Sequence, residues 1–142
     1  MFKTTDCGKT WRKVLCRNDS TGAADLALDP TNPDVLYASF WQAYRTPWLL
    51  SSGGAGSSVY KSTDGGEHWK EITHNKGLPP GLLGRIGVEV APSKPSLIWA
   101  LIEADLGGLS QPDDAGDRWR RCKGDHLHRG RAWHIPRHLA GP

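Results

Sequence analysis

Short runs of apolar and β-favouring residues, each closed by Gly, Pro, Asn or Asp, follow one another along the 142-residue chain. The spacing predicts strands at Ala23–Asp29 and Val35–Gln42, joined across Pro30 to Asp34, where prolines cannot donate to a ladder. Ser57–Thr63 and His68–Thr73 follow as a third and fourth strand, and Arg85–Ala91, Leu97–Ala104, Gly108–Gln111 and Arg118–Cys122 repeat the set. Two motifs recur independently. Thr4-Thr5-Asp6-Cys7-Gly8-Lys9-Thr10-Trp11 shares a template with Ser62-Thr63-Asp64-Gly65-Gly66-Glu67-His68-Trp69, and Pro112-Asp113-Asp114-Ala115-Gly116-Asp117-Arg118-Trp119 is a weaker third copy. Their spacings are 58 and 50 residues. Leu28-Asp29-Pro30 through Ala38 matches Val90-Ala91-Pro92 through Ala100 at an offset of 62, with both prolines in register.

Two motifs alternating in fixed order at 50 to 60 residues match the span of a four-stranded propeller blade. The expected fold class is therefore all-β: a partial β-propeller of four-stranded antiparallel blades. Residues 1–16 form a half blade, 23–73 a blade, 84–122 a blade with a degenerate last hairpin, and 132–142 the start of another. The chain is thus expected to begin and end within a blade. In each eight-residue motif the Asp accepts hydrogen bonds from its own turn, a following Gly takes positive φ cheaply, and the Trp closes the returning strand onto the sheet. Asp6, Gly8 and Trp11, then Asp64, Gly66 and Trp69, then Asp114, Gly116 and Trp119 are accordingly structural.

Composition agrees: 17 Gly, 10 Pro and 7 Trp against 2 Phe and 1 Met suit short strands and tight turns. With 37% hydrophobic residues, no apolar run reaches the roughly 18 that a membrane helix needs. The net charge of +3 is uneven, residues 118–142 carrying 7 Lys and Arg against 1 Asp. Cys7, Cys16 and Cys122 are odd in number with no CxxC pair, which favours neither a disulfide framework nor a zinc ribbon.

The eight-residue motifs resemble the Asp-box, or bacterial neuraminidase repeat. Gly22–Leu26, Asp29–Pro33, Trp41–Trp48, Ser52–Ser57 and Arg131–Trp133 are similar to large bacterial sortilin-like proteins of the "glycosyl hydrolase" type. The resemblance implies a propeller binding or interaction module with further blades, a carbohydrate or a peptide or protein as ligand, an extracytoplasmic or secreted setting, and no cofactor. Its alternative is part of a glycoside hydrolase, sialidase- or xyloglucanase-like; a third reading is a polyanion-binding module.

The candidate chemistry is sparse. A glycosidase needs two carboxyl groups roughly 5 to 9.5 Å apart, whereas a repeated Asp6, Asp64 and Asp114 would sit on separate turns. Asp25, Glu89, Glu103 and Asp105 are other carboxylates, and nothing in the sequence pairs them. No catalytic residue is assigned. Cys122, His126, His128, His134 and His138 fit no standard zinc spacing, so no metal site is expected either. The basic run from Arg118 to Arg137 does not favour nucleic acid, because Trp119 already belongs to the third hairpin. Gly53-Gly54-Ala55-Gly56 lacks the lysine of a phosphate loop and is expected to be a flexible tip. The connection from Gln42 to Ser57, with Trp41, Tyr44, Arg45 and Trp48, is the candidate ligand-binding segment. For Trp41 and Trp48 the competing expectation is packing against a neighbouring blade.

Blades gain stability chiefly from their neighbours, and uncovered strand edges invite pairing. The isolated chain is expected to self-associate or to melt early. Calorimetry over a dilution series checks this, and a dilute monomer melting cooperatively above about 65 °C would contradict it.

Overall fold

The computed structural model describes residues 1–104 and the backbone of two further strands at 108–112 and 119–122. The described residues form eleven strands and no helix. A two-stranded sheet pairs β1 (Phe2–Lys3) with β2 (Arg12–Lys13). A second sheet has the order β3 (Thr21–Leu28), β4 (Leu36–Arg45), β6 (Ser58–Ser62), β7 (Lys70–Glu71), and β5 (Leu50–Ser52) pairs with the far end of β4. A third sheet runs β8 (Leu83–Val90), β9 (Ile98–Ala104), β10 (Gly108–Pro112), β11 (Trp119–Cys122). All pairings are antiparallel, and the architecture is a partial β-propeller. Asp105, Asp114, Gly116 and Arg118, the side chains of 119–122, and residues 123–142 with their histidines and basic residues lie outside the described residues.

The repeat at offset 62 is a repeat of hydrogen bonds. Asp29 N donates to Val35 O at 3.0 Å and Val35 N to Asn32 O at 3.0 Å; Ala91 N donates to Leu97 O at 2.9 Å and Leu97 N to Lys94 O at 2.8 Å. The same Pro-x-x-Pro turn therefore links β3 to β4 and β8 to β9.

The middle sheet is covered on both faces because successive side chains of a strand point to opposite sides. On one face Ala27, Tyr37, Val59 and Ile72 pack against Leu83, Ile86, Val88, Val90, Ile98, Ala100 and Ile102. On the other, Ala38, Phe40 and Tyr60 form a smaller cluster with Met1, Leu15 and Trp69. Phe40 and Tyr60 meet edge to face, with centroids 5.5 Å apart. Two polar links tie the middle sheet to β8, the edge strand of the third sheet. The buried Ser39 hydroxyl donates to Ile86 O at 2.6 Å, and Asp25 Oδ2 accepts from Val88 N at 3.0 Å. Groups that an edge strand leaves unpaired are thereby satisfied across the interface.

Three expectations are corrected. The fourth strand of the middle sheet is only Lys70–Glu71, because Val59 N bonds the Thr73 hydroxyl at 2.9 Å, which replaces a ladder bond with a side-chain bond. The Gln42–Ser57 connection is not an open loop: β4 runs on to Arg45 and folds back as β5, with Ala43 opposite Ser52 and Arg45 opposite Leu50. Gly53–Gly56 is not a flexible tip. Gly53 N donates to Gln42 O, Gly54 N to Leu83 O and Gly56 N to Gln42 Oε1. The glycines permit this close approach, since a Cβ on Gly53 (φ 103°) would stand 2.9 Å from Leu83 O.

The two described turn motifs differ at one backbone position. Gly65 has φ 69°, and its counterpart Cys7 has φ 59°, the sole non-glycine with positive φ among the described residues. A side chain in this left-handed region costs about 1–2 kcal/mol, partly offset by the greater freedom of an unfolded glycine. Cys7→Gly is expected to leave stability unchanged or raise it by up to about 1 kcal/mol, whereas Gly65→Ala should lower it by about 1 kcal/mol. Urea denaturation of both variants checks the sign; equal losses would exclude backbone strain as the difference.

Candidate functional site

Thr4, Asp6, Gly8, Thr10 and Trp11 bond as Ser62, Asp64, Gly66, His68 and Trp69 do. The hydroxyl donates to the Asp carboxylate at 2.8 Å in both turns and accepts the N–H of Gly8 or Gly66 at 2.9 Å. The carboxylate accepts the N–H of Thr10 or His68 at 2.9 Å, and the indole donates to the carbonyl of Gly8 or Gly66 at 3.1 and 3.0 Å. The turn itself thus consumes each carboxylate. The Thr10 hydroxyl, the Thr10 N–H and the Thr4 hydroxyl hold Asp6 down at about 2; the His68 N–H, the Ser62 hydroxyl and the His68 ring lower Asp64 further. Trp69 closes onto Phe40 and Tyr60, whereas Trp11 remains 62% exposed. Glu67 bridges the two turns. It bonds Arg12, and it accepts from Lys3 Nζ at 2.7 Å while Lys3 also donates to Gly65 O at 2.7 Å. Arg12 first and Lys3 second hold the Glu67 carboxyl at about 2.

The β4–β5 hairpin carries the other candidates. Its turn closes with Thr46 N donating to Leu49 O at 2.7 Å. Tyr44 is 67% exposed and Trp48 86%, with Leu49 and Leu50 also exposed beside them. Trp41 is half-buried, its indole N–H donating to Ser52 Oγ at 3.0 Å and the Arg85 guanidinium lying 5.8 Å from its ring centroid. Among the described residues, Trp41 thus contacts the adjacent sheet and Trp48 does not. An open cleft of about 580 Å³ separates the hairpin from residues 19–22, lined by Asp19, Thr21, Gln42, Tyr44, Ser51 and Gly53. The structure brings Trp41, Tyr44, Arg45 and Trp48 onto one hairpin.

A second cleft, near 340 Å³, lies on the other side of Gly54 and Ala55. Within it Arg17 bonds Glu71 Oε2 at 2.7 Å and the Tyr60 hydroxyl at 3.2 Å, while Glu71 Oε1 is buried with no hydrogen-bond partner among the described residues. Asp25 is likewise engaged, by the N–H groups of Leu26 and Val88. Sequence reasoning missed Ser52 and Arg85, which join Glu103 at the base of the hairpin; Glu103 Oε2 accepts from both, at 2.5 and 3.0 Å. They stand 33 and 18 residues apart in sequence, and no motif spacing connects them.

No family model matches the chain. Over 97 residues it is 33% identical to the xyloglucanase Xgh74A of Acetivibrio thermocellus, an alignment covering 62% of this chain and 11% of that protein. Its fold is similar to the crystal structure of the Niastella koreensis GH74 enzyme, with a TM-score of 0.55 and 16% identity over 84% of this chain and 18% of that one. The chain therefore spans a small part of the proteins it matches, and the solved structure supports the propeller fold.

Carboxyls held low in the folded chain stabilise it above their unfolded values and cease to do so as pH falls. Stability is expected to be flat above about pH 5 and to decline below it, the contributions of Glu67 and Asp6 fading toward about pH 2 and that of Asp64 persisting lower. Urea midpoints measured across this range in wild type, Glu67→Gln and Asp6→Asn check it. An unaltered pH slope in both variants would show that these bonds do not hold the turns.

Proposed function

We propose that this chain is a segment of a carbohydrate-binding β-propeller whose ligand-contacting surface is the β4–β5 hairpin with Trp41, Tyr44, Arg45 and Trp48. The observation that carries the reading is the exposure of Tyr44 and Trp48 on a hairpin beside an open cleft. Aromatic faces take up the C–H surfaces of sugars, and polar groups on a rigid support fix orientation. The likeness to a protein named xyloglucanase supports a neutral β-glucan as the ligand.

In this reading the Asp6 and Asp64 turns are Asp-boxes, supported by their matched hydrogen bonds, and Asp114, Gly116 and Trp119 are the third by sequence. Residues 23–73 and the described part of 84–122 are blades, and 1–16 belong to a neighbouring one. Those turns are structural, so the contribution of this segment to a parent glycoside hydrolase is to hold polysaccharide. A setting outside the cytoplasm follows from a polymeric ligand. The sortilin-like resemblance of the Trp41–Trp48 run would instead call for a peptide ligand on the same hairpin.

Isothermal titration with a xyloglucan oligosaccharide and affinity electrophoresis in xyloglucan gels test this. Tyr44→Ala, Arg45→Ala and Trp48→Ala should each weaken binding, the aromatic losses reaching about 2 kcal/mol, with melting temperatures unchanged because these side chains are exposed. Wild-type affinity in all three variants would remove the hairpin from the site. Binding of peptides but of no glucan would replace carbohydrate with the peptide reading.

A further inference from the structure

The seam between the hairpin and the third sheet holds two charged groups with unspent hydrogen-bonding capacity. Glu103 keeps Oε2 occupied by the Ser52 hydroxyl and the Arg85 N–H. Gly84 makes room for that carboxylate, since a Cβ there would lie 2.3 Å from Oε2. Ser52 is oriented in turn by the Trp41 indole N–H. The carboxylate is thus aimed by three residues, while its Oε1 bonds none of the described residues. The Arg85 guanidinium rests on Trp41 and forms no ion pair with any described carboxylate, Glu103 included. Both side chains are exposed.

We propose that this seam is a subsite for one neutral sugar residue, with Glu103 Oε1 accepting from one ring hydroxyl, Arg85 donating to its neighbour, and Trp41 supplying apolar surface beside them. The inference rests on the carbohydrate reading above and extends it to residues on β8 and β9. Adjacent hydroxyls donate and accept at once, which suits an acceptor and a donor that do not satisfy each other. In the stated orientation, a carboxylate in place of the hydroxyl at Glu103, or an ammonium in place of the one at Arg85, would meet a like charge, so that arrangement favours a neutral residue. Glu103 thereby acts on specificity, and the hydrogen bonds on its other oxygen set its direction.

Titration of the full chain with cellotetraose and a xyloglucan oligosaccharide tests the subsite. Glu103→Gln and Arg85→Ala should each weaken binding about tenfold or more, the usual scale for a charge-assisted hydrogen bond. In Glu103→Gln the amide oxygen still accepts from Ser52 and the Arg85 N–H, so melting should match wild type. Galacturonan and chitosan oligomers of equal length should bind more weakly than the neutral chain. Undiminished binding by Glu103→Gln and Arg85→Ala, alongside losses in Tyr44→Ala and Trp48→Ala, would overturn the subsite and leave the hairpin reading standing. Losses confined to the seam variants would sustain the subsite and overturn the hairpin. A wild type that binds no neutral oligosaccharide would overturn both, and equal affinity for charged oligomers would overturn the proposed selectivity.

Discussion

A sheet in this fold has two apolar faces, and both must be covered. β4 makes the constraint visible: Tyr37 enters the cluster shared with the third sheet, while Ala38 and Phe40 enter the cluster beneath the first. Such a strand has no solvent face to spare, so its sheet cannot stand alone and the sheets stack. The polar links follow from the same stacking. Once β8 lies against the middle sheet, the carbonyl of Ile86 and the N–H of Val88 lose water, and Ser39 and Asp25 replace it.

Stacking also decides where function can reside. With the faces occupied, the β4–β5 hairpin projects beyond the middle sheet, and the proposed binding surface lies on it. It is held from both sides, by Gly53 and Gly54 against Gln42 and Leu83 and by Ser52 against Glu103. If it holds the proposed ligand, a hairpin anchored in this way loses little conformational freedom on binding, which is the usual advantage of a preorganised site. The turn carboxylates stand in contrast, because the hydrogen bonds that lower their proton affinity also occupy the lone pairs that acid–base chemistry would need.

The motifs legible in the sequence were those whose physics is local. A turn such as Ser62–Trp69 is closed by partners no more than four residues apart, and the Pro30–Asp34 link by its own backbone and the Asp29 carboxylate. Residue types at fixed short spacing therefore reveal them. The corrections fell where the partner is distant. Gly53–Gly56 has the composition of a loose linker, yet a β-bridge from Gly54 to Leu83 and the amide of Gln42 pin it. Arg45 continues β4, although the sequence reads there as a connection, because the pairing of β4 with β5 leaves little mark on their composition.

The all-β class, the repeat, the two kinds of turn and the aromatic character of residues 41–48 were thus determined by sequence alone, since each depends on neighbours along the chain. The direction of β4 past Gln42, the anchoring of the glycine segment and the meeting of Trp41 and Ser52 with Arg85 and Glu103 were decided only by tertiary structure. They depend on which sheet stacks on which, and that follows from covering apolar faces between strands far apart in sequence.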